Sequence, residues 1–154
     1  GHNGAGKTTT INMLTGILQP DSGTINICGL DYYTQMNTIE AKQESASRST
    51  SSMTTNVRDH VEYYGKIKGI PKDQFEEKVD EIIAKCGLED EQKKRTSDLS
   101  GGNKRKTCLA CASIGNSQLL FLDEPSSGLD PSSRKVIWTL IDELRKEGRT
   151  IILT

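Results

Sequence analysis

Apolar residues recur along this chain with different periods, and each period predicts an element. At Val57, Val61, Tyr64 and Ile67/Lys68 they return every three or four residues, the spacing of one helix face. After a break at Gly69-Ile70-Pro71 the same period resumes at Phe75, Val79, Ile82, Ile83 and Cys86, so a second helix follows. The charges between them, Lys66, Lys68, Lys72, Glu76, Glu77 and Lys78, read as a solvated face. A further helix runs from about Pro131 to Lys146, with Pro131 suited to the first turn, Val136, Ile137, Leu140, Ile141 and Leu144 on the inner stripe, and Gly148 as its end. Leu119-Leu120-Phe121-Leu122 is apolar without alternation, which predicts a parallel strand buried on both faces, and Thr150 to Leu153 begins a second buried strand. Near the N-terminus, Ile11, Leu14 and Leu18 mark one face of a helix starting at Lys7 or Thr8. Pro20-Asp21-Ser22-Gly23 is a turn, and Thr24 to Ile27 a short strand ended by Gly29. Strand, helix, strand in that order predicts an α/β, doubly wound sheet carrying a helical insertion.

Composition narrows the class. With 154 residues the chain is one domain at most, since domains run to roughly 100–200 residues. No stretch approaches the roughly 18 consecutive apolar residues of a membrane span. A net charge of -1 lacks the basic footprint of a nucleic-acid binder, so no nucleic acid is expected as a partner. Cys28, Cys86, Cys108 and Cys111 are too scattered for a disulfide scaffold. The Cys108-x-x-Cys111 pair, among Leu109, Ala110 and Ala112, reads as buried helix rather than a redox or metal site. The first residue is not Met and the chain opens within a motif, so a fragment is expected.

That motif is Gly1-His2-Asn3-Gly4-Ala5-Gly6-Lys7-Thr8, which fits G-x-x-x-x-G-K-[ST], a loop that wraps the phosphates of a nucleotide. Glycines at Gly4 and Gly6 permit the backbone angles that turn successive N–H groups inward toward an anion. Lys7 supplies a point charge, the Thr8 hydroxyl can ligate Mg²⁺, and the helix that follows points its positive end at the phosphates. The strand expected to lead into the loop is missing. At the end of the Leu119–Leu122 strand stands Asp123-Glu124, closed by Pro125. Asp123 is placed to hold Mg²⁺ opposite the loop, and Glu124 to take a proton from a water attacking the γ-phosphate.

Leu99-Ser100-Gly101-Gly102-Asn103, followed by Lys104-Arg105-Lys106 and an apolar helix, forms a second anion site: a hydroxyl, unobstructed N–H groups and a helix N-terminus. Together these motifs resemble the nucleotide-binding domain of the ATP-binding cassette family. Gly1–Thr8 is similar to its Walker A loop, Leu99–Gly102 to its signature, Leu119–Glu124 to Walker B and Ser127-Gly128-Leu129-Asp130 to the D-loop, in that order over nearly the whole chain. The wording L-S-G-G-N-K-R-K and Trp138 look most like eukaryotic subfamily A, whose members move lipids.

The resemblance implies a P-loop NTPase fold with core residues 1–38 and 115–154, a degraded Gln-loop region at 39–56 and a helical signature subdomain at 57–114, lacking the N-terminal strand and a C-terminal part. It implies ATP and Mg²⁺ as ligands, with phosphate contacts at Asn3, Gly4, Ala5, Gly6, Lys7, Thr8 and Thr9, metal contacts at Thr8 and Asp123, and Glu124 as the catalytic base. Ser100, Gly101 and Gly102 would reach the ATP of a second cassette docked head to tail, with Asp130 at the seam. The implied partners are that second nucleotide-binding domain and transmembrane domains, at the cytoplasmic face of a membrane. The competing expectations are a soluble cassette ATPase of the translation or DNA-repair type and an inactive fragment.

Two family features are absent. The switch histidine would fall beyond Thr154. The other gap is Glu40 to Asn56, where the family has a loop of the form G-[IV]-C-P-Q-x-[ND]-x-L-[FY]-D whose Gln reaches Mg²⁺ and water. The residues there are polar and serine-rich, which predicts a flexible loop without a strand. We read this stretch as translated out of frame, the competing expectation being a genuine divergent loop. With TC-type serine codons and an AG-type arginine codon, one base lost near Glu40 would make Glu44 Gly or Arg, Ser45 apolar, Ala46 Cys, Ser, Gly or Arg, and Arg48 Gln, Lys or Glu. One allowed reading is G-I-C-L-Q-V-N-I-I-Y-D. Gln43 sits several positions too early to replace the family's Gln.

Overall fold

The computed structural model describes residues 4–27, 29–32, 34–35, 43–46 and 55–154. Helix α1 (Lys7–Leu14) is followed by an antiparallel hairpin of β1 (Asn26–Ile27) and β2 (Leu30–Asp31), turned at Gly29 with φ 77°. Strands β3 (Gln43–Ala46), β4 (Leu119–Leu122) and β5 (Thr150–Leu153) form a parallel sheet in the order β3-β4-β5. Between β3 and β4 come α2 (Val57–Ile67), α3 (Phe75–Lys85), a 3₁₀ turn at Thr96–Asp98 and α4 (Gly101–Ser113). Helix α5 (Pro131–Lys146) connects β4 to β5.

β4 explains the layering. Its four residues are all buried, but they serve two cores. Leu120 and Leu122 join Val57, Val61, Val79, Leu109, Ile137 and Leu140 of the helices, whereas Leu119 and Phe121 join Ile11, Ile27 and Tyr32 beneath α1 and the hairpin. A strand covered on both faces has no polar side, hence its unbroken apolar run. Each of these side chains contributes roughly 1.5–3 kcal/mol by leaving water.

The helical region follows its predicted pattern. Asn56 caps α2 by accepting from the Asp59 N–H at 2.8 Å, a bond worth about 1 kcal/mol. Arg58 then ties α2 to α3 through Glu76 at 2.7 Å and Asp80 at 2.6 Å. Val79, Ile82, Ile83 and Cys86 are buried as one face, and α5 buries Ile137, Leu140, Ile141 and Leu144. In α4, Ala110, Cys111 and Ala112 are buried, so the Cys108-x-x-Cys111 pair is helix packing, and the described residues contain no metal-binding cluster. Cys28 lies outside them.

Four expectations need correction. Leu18 is exposed and lies beyond α1, which ends at Leu14 before Gly16 turns the chain with φ 82°. Ile67 is 62% exposed because Lys68 continues the Val57–Val61–Tyr64 stripe instead. The Lys68 stem packs on Gly115, and its ammonium donates to the carbonyls of Cys111 and Ala112 at 2.8 Å, in the last turn of α4. Lys68 therefore does not belong to the solvated charges, since a cation here neutralises the negative end of a helix. β5 forms as predicted, pairing with β4 residue for residue from Leu119–Thr150 to Leu122–Leu153. Finally, Gln43–Ala46 is a strand although composition argued against one; the open edge of β4 selects backbone, and strand preference depends on such context. Residues 36–42 and 47–54, which carry the rest of the proposed frame change, lie outside the described ones.

Candidate nucleotide-binding site

The N-terminal loop turns into α1 at Gly6. Gly4 and Gly6 both have positive φ, 81° and 77°, which disfavours any side chain, and open space lies where a Cβ would stand. Gly6 caps α1 in the left-handed conformation with no side-chain bond, and the first turn holds no acidic residue. The first N–H groups of a helix have no partner within it, so this end offers donors and a positive dipole to an anion. A cavity of about 460 Å³ is lined by Gly4, Ala5, Gly6, Lys7, Thr8, Thr9 and Glu124. Asn3 lies outside the described residues.

Across the cavity stands the end of β4. The Lys7 ammonium lies 3.8 Å from Glu124 Oε1, and the Thr8 hydroxyl donates to Asp123 Oδ2 at 3.2 Å. β5 pairs with β4 and brings Thr154 beside them. Its hydroxyl donates to Asp123 Oδ1 at 2.7 Å, and the Glu124 N–H donates to both its carbonyl, at 3.1 Å, and its hydroxyl, at 3.2 Å. Glu124 has φ 45°, in the left-handed region that L-residues rarely adopt. Its carbonyl accepts from the Ser127 N–H at 3.2 Å and from the Arg105 guanidinium at 2.5 Å. The oxygens of Thr8 and Asp123 suit a hard divalent cation.

The signature residues sit elsewhere. Ser100 caps α4 by accepting from the Asn103 N–H at 3.2 Å, which leaves its own proton to donate. Gly102 packs against the start of α5: a Cβ on it would lie 3.2 Å from Ser133 Oγ and 3.7 Å from Asp130 Oδ1. Asp130 caps α5, accepting from the Ser132 hydroxyl and from the Ser133 N–H at 2.9 Å. Those bonds, the Ser132 hydroxyl first, hold its carboxyl well below the usual range. Among the described residues, Ser100, Gly101, Gly102 and Asp130 do not line the cavity of Lys7.

Sequence reasoning missed Arg105 and Thr154. Arg105 lay in view within Lys104-Arg105-Lys106 but without a partner, and only the sheet register shows that Thr154 reaches both carboxylate residues.

A phosphate loop facing acidic residues at the end of a central parallel strand, with helices on both sides, defines a P-loop NTPase. The family model described as "ABC transporter" matches residues 1–127, and the chain belongs to that family. All of the chain aligns with "ATP-binding cassette sub-family A member 17" of Rattus norvegicus at 41% identity, covering 9% of that protein. It aligns likewise with "Glucosylceramide transporter ABCA12" of Mus musculus at 43%, covering 6% of it. Among solved structures, "Structure of ATP binding subunit of ABC transporter" superposes with a TM-score of 0.86 at 25% identity, over 99% of this chain and 64% of that one. The chain thus spans less than a tenth of the curated relatives it matches. It is an ATP-binding domain whose relatives are subfamily A members.

Proposed function

We propose that this domain is the ATP-hydrolysing motor of a lipid transporter, working at the cytoplasmic face of a membrane. The observation that carries the reading is that Glu124 closes the cavity of Lys7 and Thr8, 3.8 Å from the Lys7 ammonium, while Asp123 accepts from the Thr8 hydroxyl beside it. Lys7 and the amides of Gly4 to Thr9 bind the β- and γ-phosphates. Thr8 and Asp123 hold Mg²⁺, which neutralises phosphate charge when bound. Glu124 takes the proton of the attacking water as its oxygen bonds to the γ-phosphorus; the bond to the bridging oxygen breaks and ADP leaves.

Ser100, Gly101 and Gly102 serve the ATP of a second cassette docked head to tail, because they lie outside the cavity of Lys7 while keeping donors available. Asp130, beside Gly102, lies at the seam between the two cassettes. The two cassettes act on transmembrane domains. The lipid assignment draws support from the relatives' names, among them "Glucosylceramide transporter ABCA12" and "Phospholipid-transporting ATPase ABCA3".

The test uses the full-length transporter in lipid vesicles. Glu124→Gln should cut ATP turnover by about 10²–10⁴-fold while ATP still binds. Lys7→Ala should abolish binding. Undiminished turnover in Glu124→Gln would remove it as the base, and failure to move labelled phospholipid or glycolipid between leaflets would remove the lipid assignment.

A further inference from the structure

Glu124 is held by its backbone from opposite sides. Its N–H is fixed on the β5 side by Thr154, whose chain is in turn pinned to β4 by the Thr154 N–H donating to Leu122 at 3.0 Å. Its carbonyl is held on the other side by Arg105, at 2.5 Å. Pro125 follows and disfavours the right-handed helical conformation at Glu124, so a residue already at φ 45° has few places to relax. Strained backbone persists only where the surroundings over-determine it. Arg105 differs from the other restraints in its origin: it projects from α4, which begins with Gly101 and is capped by Ser100. A charged donor on a main-chain carbonyl is a strong tie.

We propose that Arg105 is a positioning residue that fixes the Glu124 carboxylate and makes its aim depend on the signature helix of the same cassette. This rests on Glu124 being the base. When Ser100 and Gly102 engage a nucleotide across the seam, α4 is held, and through Arg105 so is the peptide that aims Glu124 at the water in the cavity of Lys7. Occupancy of the signature then tightens the hold on the base of the same cassette.

The experiment compares Arg105→Met, Arg105→Lys and Glu124→Gln in the full-length transporter. Arg105→Met should lower kcat by about ten- to a hundredfold, the cost of a misplaced reacting group, with KM for ATP within about twofold. Arg105→Lys, which keeps a cationic donor, should recover part of kcat. Without nucleotide, amide exchange should rise in the peptide 119–129 of Arg105→Met and not in the peptide around Lys7. In a Glu124→Gln background, Arg105→Met should cause no further loss. Unchanged kcat, a matching rise in KM, or an equal further loss in the Glu124→Gln background would each overturn the proposal. If Arg105→Met fails to assemble, Arg105→Lys decides: reduced kcat at constant KM supports it, and wild-type kcat overturns it. Full turnover in Glu124→Gln alone refutes the base and not the Arg105 tie, which the exchange measurement reads directly.

Discussion

The hydroxyl of Thr8 donates to Asp123 Oδ2 at 3.2 Å, although the two residues are 115 positions apart. Hard divalent cations take hydroxyl and carboxylate oxygens, so in the proposed motor these two residues would hold Mg²⁺ together. Thr8→Val preserves shape and removes the oxygen. It should raise the Mg²⁺ concentration for half-maximal ATP hydrolysis by about tenfold, equivalent to ~1.4 kcal/mol. Titrating hydrolysis with Mg²⁺ checks this, and an unchanged midpoint would take Thr8 out of the metal site.

Gly102 owes its identity to a neighbour as well as to a ligand. Its missing Cβ leaves the 3.2 Å gap that Ser133 Oγ occupies, and Ser133 is buried at the first turn of α5. Gly102→Ala should therefore displace the start of α5 and cost about 1–3 kcal/mol by overpacking, read from the urea midpoint of the domain. Adding Ser133→Gly should return most of that stability while ATP turnover stays low, since the signature remains altered. No recovery in the double variant would mean that this contact is not the cause.

His60 is buried in α2, with Nδ1 3.2 Å from the Thr55 hydroxyl. Burial pushes its pKa below the ordinary 6.5, and the nearby Asp59 opposes this only in part. Below pH 6.5 the unfolded chain takes up the proton before the folded one does, so unfolding gains protons and stability falls as pH drops toward the folded value. Above about pH 6.5 the contribution is complete. The Tm should thus decline as pH falls below about 6.5, and His60→Gln, which can still bond Thr55, should flatten that decline. Parallel curves for the two proteins would assign the pH dependence to other groups.

Local chemistry was legible in the chain wherever one motif forms one feature. The loop at Gly4 to Thr8, the cap at Ser100, the first-turn Pro131 and the buried run Leu119–Leu122 all behave as their residue types require. What depends on neighbours was not. Lys68 reads as a surface charge until the end of α4 is seen beside it. Arg105 and Thr154 meet Glu124 through tertiary placement alone, and no spacing in the sequence encodes those bonds.

β3 presents the sharpest conflict between residues and position. Glu44 is the register partner of Leu120 and Ser45 of Phe121, and those two partners belong to the two different cores that sandwich β4. A parallel strand in such a sheet is normally a run of apolar residues, whereas this one reads Gln-Glu-Ser-Ala. The shifted frame removes the carboxylate at Glu44 whichever codon is used and, with a TC-type serine codon, replaces Ser45 with an apolar residue. Sequencing the transcript should therefore find a missing base close to the Glu40 codon and a compensating change before Val57. An uninterrupted frame that encodes Glu40 to Asn56 unchanged would sink that reading. The physical claim can also be tested without the gene. Ser45→Ile should stabilise the domain by about 1–2 kcal/mol if the position beside Phe121 is a core position filled by the wrong residue, measured as a rise in the urea midpoint. A neutral or negative change would mean that the strand is suited to its serine, and the frame shift would lose its structural support.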